Sequence, residues 1–297
     1  MSQNQRPPWF NIRVNLASVV VAKGNPLQQI SLLDSVNFVK TINGDTSVKK
    51  FIPILLLAAS ASSIAADSFD ATAEKIKTAL NAEIRTEAET DRDRNRKALQ
   101  TLEFFGLRDD MKVIELIPGG GWYTKILAPV VSDKGEYYAA LGTSRIKDLT
   151  EEPGFSKVKI VAEDAKLYRK EGERFYSLDA DSLGVKNLDM VLTFRNYHNF
   201  SEEGRRNMNK LAFEALKPGG VYAVVDHTAR HMEQQTPANR RRIDPVLAIK
   251  EIQEAGFELV DFTDLHYRAD DELRYEVGVK TVKGNTDRWT IKFRKPN

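Results

Sequence analysis

Val113-Ile114-Glu115-Leu116-Ile117-Pro118-Gly119-Gly120-Gly121-Trp122-Tyr123-Thr124 reads as a buried strand, a glycine turn and the start of a helix running over 122–131. Glycines let a chain reverse tightly and let a ligand approach backbone that carries no side chain. Outward from this unit the pattern alternates. Segment 136–141 is strand-like, a further strand falls within 158–162 or 174–178, and 188–194 is a strongly apolar strand. Ser201 caps a helix whose Met208, Leu211, Ala212, Ala215 and Leu216 share one face. Lys217-Pro218-Gly219-Gly220 stops that helix, and 221–225 is the next strand. Asp244-Pro245 opens another helix, closed by Gly256, and 257–262 and 289–293 read as the last strands. Strand and helix alternating over this length predict a parallel-type α/β sheet with helices on both faces.

Toward the N-terminus the signals change. Segment 70–97 is polar and helix-forming, with Ile76, Leu80 and Ile84 as a narrow apolar stripe for docking on a larger body. Arg92-Asp93-Arg94-Asn95-Arg96 reads as a solvated helix face, and so does Arg240-Arg241-Arg242. Residues 48–66 have the order of a secretory signal: Lys49 and Lys50, an apolar run over 51–59, then small residues with Ser63 and Ala65 at a cleavage site. That run is shorter than the roughly 20 residues a bilayer span needs. The expected organisation is therefore a 1–47 leader, disordered or preceding a true start at Val48, a signal peptide over 48–66, a helical extension over 67–106 and the main domain over 107–297. A periplasmic or secreted protein with no stable membrane anchor after cleavage follows; a genuine leader would instead leave the protein in the cytoplasm.

Bulk composition narrows the function classes. The chain has 44 basic and 42 acidic side chains in 297 residues, a net charge of +2, which gives no electrostatic case for nucleic-acid binding. It has no cysteine, which excludes disulfides, cysteine-ligated zinc and iron–sulfur clusters.

The glycine run resembles motif I of the class I S-adenosylmethionine-dependent methyltransferases, with Glu115 as the acid and Gly119 and Gly121 as the second and third glycines. Ile117 stands where the first glycine is usual. Leu216-Lys217-Pro218-Gly219-Gly220 is similar to a post-helix turn of that superfamily. Further strings resemble a bacterial subgroup of predicted methyltransferases that often carry export signals: Arg92-Asp93-x-x-Arg96, Leu102-x-Phe104-Phe105-Gly106, Leu127-Ala128-Pro129, Thr193 through Asn199, Val225-Asp226-His227, Arg242-Ile243-Asp244 and Thr286-Asp287-Arg288-Trp289. Lys97-Ala98 replaces the His-Pro expected there. The resemblance implies a Rossmann-like fold with a central, mostly parallel seven-stranded sheet and S-adenosyl-L-methionine over Pro118, Gly119, Gly120, Gly121 and Tyr123. Glu115 would bind its amino group. The acid that would hold the ribose after the second strand is missing from Leu141-Gly142-Thr143-Ser144; Thr143 or Ser144 would stand in, and Asp179 or Asp181 would serve near the adenine.

In such a sheet ligands bind beyond the carboxyl ends of the strands. Arg195, Asn196, Tyr197 and His198 leave one strand there, and Asp226 and His227 leave the next. Histidine titrates near neutrality, so His198 or His227 is the candidate base, with Asp226 beside it. Asn196 would hydrogen-bond cofactor or substrate, while Arg195 and Tyr197 would bind substrate, Arg195 anchoring an acidic group. His198, Asp226, His227 and His231 form an alternative metal set, but no metal is the preferred expectation. His231 and His266 read as surface residues. The expected function is methyl transfer to a small molecule, with an exported binding or assembly protein, or a non-methylating enzyme, as the alternative.

Overall fold

The computed structural model describes the backbone of residues 61–297 and the side chains of 69–297; the leader and most of the signal-like segment lie outside the described residues. Four helices come first: α1 (Ala61–Leu80), α2 (Glu87–Thr90), α3 (Asp93–Arg96) and α4 (Ala98–Phe105). Strand β1 (Lys112–Leu116), helix α5 (Thr124–Val131), β2 (Glu136–Ala140) and β3 (Lys159–Val161) follow. A small hairpin, β4 (Lys166–Tyr168) and β5 (Ser177–Asp179), precedes β6 (Leu188–Phe194), α6 (Glu202–Ala215), β7 (Leu216–His227), α7 (Pro245–Glu254), β8 (Glu258–Thr263) and β9 (Arg288–Arg294). Of the two alternatives for the third strand, 158–162 holds, with 159–161 in the main sheet; near 174–178, strand 177–179 pairs antiparallel with β4 in a separate hairpin.

The main sheet has seven strands in the order β3-β2-β1-β6-β7-β9-β8. β9 alone runs against its neighbours β7 and β8, and the other pairings are parallel. This is the Rossmann-like, mostly parallel seven-stranded arrangement that the resemblance implies. From β1 the chain builds outward to β3, then crosses back to lay β6 on the other side of β1. The order therefore reverses between β1 and β6, and a crevice opens beyond their carboxyl ends.

Strand alternation distributes the core over both faces of the sheet. Val113, Met190, Leu192, Ala223 and Val225 pack with Ile126, Leu127 and Val130 of α5 and with Ile76, Leu102 and Phe105 of the N-terminal helices. Ile114, Leu116, Val191, Tyr222 and Val224 face Met208, Leu211 and Ala215 of α6 and Ile252 of α7. The N-terminal helices thus close one face of the main core.

The helix-forming segment 70–97 is divided among α1, α2 and α3, and α1 stops at Leu80. Arg85 donates to the Leu80 carbonyl and pairs with Asp93, while Thr86 and Glu89 form a capping box that starts a fresh turn. Ile76 is fully buried, whereas Leu80 and Ile84 pack only half-buried against the core. Among the described residues no helix is long and apolar enough to cross a membrane.

Candidate functional site

Three strands end at the crevice in left-handed backbone carried by non-glycine residues: Ile117 after β1 (φ 56°), Leu141 after β2 (φ 63°) and Arg195 after β6 (φ 60°). A β-branched residue there is unusual and strained. Ile117 shows why glycine is the usual occupant of that first position, and the tight turn is made even so. Asn196 locks the junction, its amide nitrogen donating to the carbonyls of Ile117 (3.0 Å) and Phe194 (3.1 Å). Both amide hydrogens are thus spent on backbone, which leaves Oδ1 as the group Asn196 offers to a ligand.

Beyond the turn lies a cavity of about 250 Å³, bounded by Glu115, Ile117, Pro118, Gly119, Gly120, Trp122, Tyr123, Arg145 and Asn196, with Arg92, Arg96 and Arg195 on its far side. Gly120 forms bare wall: a Cβ built there comes 3.5 Å from Arg145 Nη2. Glu115 is 3% exposed and accepts from Tyr137 Oη (2.6 Å) and Thr124 Oγ1 (2.8 Å). Burial outweighs these bonds and pushes its carboxyl up to about 7. Tyr123 stacks on Phe194 with ring centroids 3.5 Å apart.

A second cavity, about 550 Å³, adjoins the first through Ile117, Arg195 and Asn196 and extends to His198, His227, Leu167 and Tyr176. Here the exits of β6 and β7 meet. Asp226 is fully buried; its Oδ1 lies 2.5 Å from His198 Nδ1 and 2.6 Å from the His227 amide nitrogen, and its Oδ2 takes the His198 amide at 2.8 Å. A carboxylate held by two backbone N–H donors fixes the ring as the Nδ1–H tautomer and leaves Nε2 as the acceptor toward the cavity. His227, with its ring 5.6 Å from that of His198, bonds Thr286 Oγ1 through Nδ1. Burial, reinforced by His198 and nearby arginines, holds His227 well below the usual histidine range, so it stays neutral.

A third cavity, about 820 Å³, shares Arg195, His227, Arg241 and Val277 with the second and Arg92 and Arg96 with the first. Its remaining walls include Arg94, Lys283 and Arg288.

The structure thus brings Glu115, Pro118, Gly119, Gly120, Tyr123, Arg195, Asn196, His198 and His227 to one crevice, with Asp226 directly behind His198. It does not bring the others. Tyr197 is corrected as a substrate contact: it is fully buried on the opposite side, where its hydroxyl donates to Glu251 and accepts from Asn209. Gly121 sits behind the turn against Ile146 and Leu149. Thr143 is buried and borders none of these three cavities, while Asp179 and Asp181 are exposed on and after β5, away from all three. The four-residue metal set does not converge, since exposed His231 pairs with Asp244 instead; among the described residues no three of His, Asp and Glu gather as metal ligands.

Three surface assignments are also corrected. His266 is buried between Thr290 Oγ1 (2.7 Å) and the Arg96 carbonyl (3.0 Å), and burial lowers it to about 4. Arg242 is fully buried in a bidentate pair with Asp271, which ties the loop after β7 to the segment before β9. Arg96 is 5% exposed, its guanidinium 4.3 Å from the Trp122 ring centroid. Periodicity could not find Arg96, Arg145 and Arg288 as site residues, because they come from three separate places: the end of the four-residue α3, a short turn after β2 and the first residue of β9. The strings around Arg96 and Arg288 had stood out only as resemblances.

No protein-family profile matches the chain, and no curated protein does. The chain is similar to a SAM-dependent methyltransferase from Aquifex aeolicus, at 16% identity over 75% of this chain and 97% of that one, with a TM-score of 0.48. It is similar to the cyclase SpnF, at 14% identity over 77% and 94% of the two chains, TM-score 0.49. The glycopeptide N-methyltransferase MtfA matches at 17% identity over 71% of this chain and all of its own, TM-score 0.45.

Proposed function

We propose that the protein is an S-adenosylmethionine-dependent methyltransferase acting on a small molecule. The observation that carries this reading is the cradle at the β1–β6 switch point: backbone at Gly119 and Gly120, the buried Glu115 carboxyl and Arg96 all border one cavity, which opens onto His198. The residues present fit the methionine half of the cofactor, with Glu115 toward the ammonium, Arg96 toward the carboxylate and bare glycine between them. Tyr123 and Asn196 complete the wall. Fold alone would not choose this chemistry, as a cyclase on the same fold illustrates.

S-adenosylmethionine, when bound, supplies a methyl group on a sulfonium, open to in-line displacement. The chain's own part is to position the nucleophile and remove its proton. His198 Nε2 accepts that proton, with Asp226 holding Nδ1–H and stabilising the imidazolium that results. Asp226 does not touch the substrate and acts as a positioning residue. His227, held neutral, keeps a second positive charge away from His198.

A second reading has one observation in its favour: no acid stands in Leu141-Gly142-Thr143-Ser144 after β2 where the ribose would be held, and the basic Arg145 follows. A chain without that acid would be a binding or assembly protein, or a non-methylating enzyme, on the same fold. Export, which the order of residues 48–66 predicts, would favour the same reading, because the cofactor is made in the cytoplasm.

Calorimetric titration with S-adenosylmethionine and S-adenosylhomocysteine separates the two. Micromolar binding of either is expected; no heat from folded protein would overturn the transferase reading in favour of the second.

A further inference from the structure

The cations around Arg195 exceed anything the fold needs. Arg92, Arg94, Arg96, Arg195, Arg241, Lys283 and Arg288 border the third cavity, and Asp91 is the one carboxylate that does. Among the described residues, Arg241 is the one of these cations that makes an ion pair, with Glu276 at 3.1 Å. Arg288 is 6% exposed; its terminal nitrogens reach the Asn95 and Gly284 carbonyls, but its Nε has no acceptor. The Nε of Arg195 is likewise buried without an acceptor. Buried guanidinium groups are ordinarily paired with an anion. Here Glu115, Asp226 and Asp287 act on Arg96, Arg195 and Arg288 without forming an ion pair with any of them among the described residues, and burial plus mutual repulsion lowers Arg96 to about 9 and Arg288 to about 10.

We propose that the acceptor substrate is a small oxyanion-bearing molecule whose phosphate or carboxylate is gripped by Arg195, Arg288 and Arg92. This inference rests on the transferase reading for the word acceptor, though not for the anion site itself. The cofactor's carboxylate does not account for the cluster. Arg96, in the first cavity, is placed to take it, and the cofactor's ammonium and sulfonium add a net positive charge to a region already rich in it. The missing negative charge therefore belongs to the other ligand. Arg195 borders all three cavities. An anion held there would adjoin both the cofactor cradle and the cavity lined by His198, so a hydroxyl or amine on the same molecule as the anion is the nucleophile within reach. Guanidinium groups suit this task because their fork of donors matches a phosphate or carboxylate bidentately.

The test is titration of the full-length protein with inorganic phosphate and, separately, succinate, at ionic strength held constant with chloride. Saturable binding is expected, weakened at least tenfold in Arg195→Met and in Arg92→Met, and unchanged in Lys210→Met on the exposed face of α6. Arg92 is exposed, so its replacement leaves packing intact even if a buried variant fails to fold. Tighter phosphate binding would assign a phosphorylated acceptor, and tighter succinate binding a carboxylic acid. No saturable binding of either anion, or binding by both arginine variants as tight as by wild type, would overturn the proposal. Because these probes carry no nucleoside, the result is independent of S-adenosylhomocysteine binding: loss of one leaves the other standing.

Discussion

His198 and Asp226 divide one task between two strand exits. The ring faces a cavity while its Nδ1 is committed to a carboxylate that two backbone amides also hold. Replacing His198 by Gln should lower kcat by about 10²–10⁴-fold with little change in cofactor binding, as measured by steady-state rates beside a binding titration. Asp226→Asn should cost rate as well, because the carboxylate that holds His198 Nδ1–H is then gone. Glu115 carries a different pH signature. Its carboxyl is raised to about 7 from an unfolded value near 4.5, so folding favours the protonated form. Stability from this group is fully present below about pH 4.5 and is lost as pH rises through about 7. Glu115→Gln should therefore gain on the parent between pH 5 and pH 8, by on the order of 2–3 kcal/mol, in denaturant titrations at the two pH values. A pH-independent difference would mean that the carboxyl ionises freely in the fold.

At the scale of elements, the turn between β1 and α5 is the sharpest test of the cofactor site. Gly120→Asp sets a carboxylate against the bare wall beside Arg145, where the cofactor's methionine carboxylate would be crowded and repelled. The fold should survive, with unchanged circular dichroism, while affinity for S-adenosylhomocysteine falls at least a hundredfold. The pair Arg242–Asp271 is an element-level clamp on the loops that wall the third cavity. Asp271→Asn strands a fully buried guanidinium and should destabilise the protein by about 3–5 kcal/mol in thermal or denaturant unfolding. The sequence disclosed much of this layer but not all. Strands β1, β6 and β7, helices α6 and α7 and the glycine turn were legible because apolar period, Ser201, Asp244-Pro245 and the glycine run are local signals. Arg242 and His266 looked like surface residues because nothing local records that a partner distant in sequence, Asp271 for one and Thr290 for the other, will bury them. Tyr197 misled for a related reason. It leaves the right strand, but its side chain points to the face that holds Glu251 and Asn209.

At the scale of the molecule, the crossover that places β6 beside β1 turns scattered sequence strings into one crevice. Glycine backbone and Glu115 come from the β1 exit, Arg195 and His198 from the β6 exit, Asp226 and His227 from β7, and Arg288 from the strand that runs the other way. The N-terminal helices supply Arg92 and Arg96, so they contribute to the site as well as to the core. A near-neutral chain thereby concentrates positive charge in one place without any sign of it in the overall balance of 44 to 42. The measurement that bears most directly on the account is a parallel calorimetric titration of wild type and Gly120→Asp with S-adenosylhomocysteine. Micromolar binding by wild type, abolished in the folded variant, is the predicted result. Equal affinity in the two proteins would remove the cofactor from the glycine turn, and absence of binding in both would remove methyl transfer from the function of this fold.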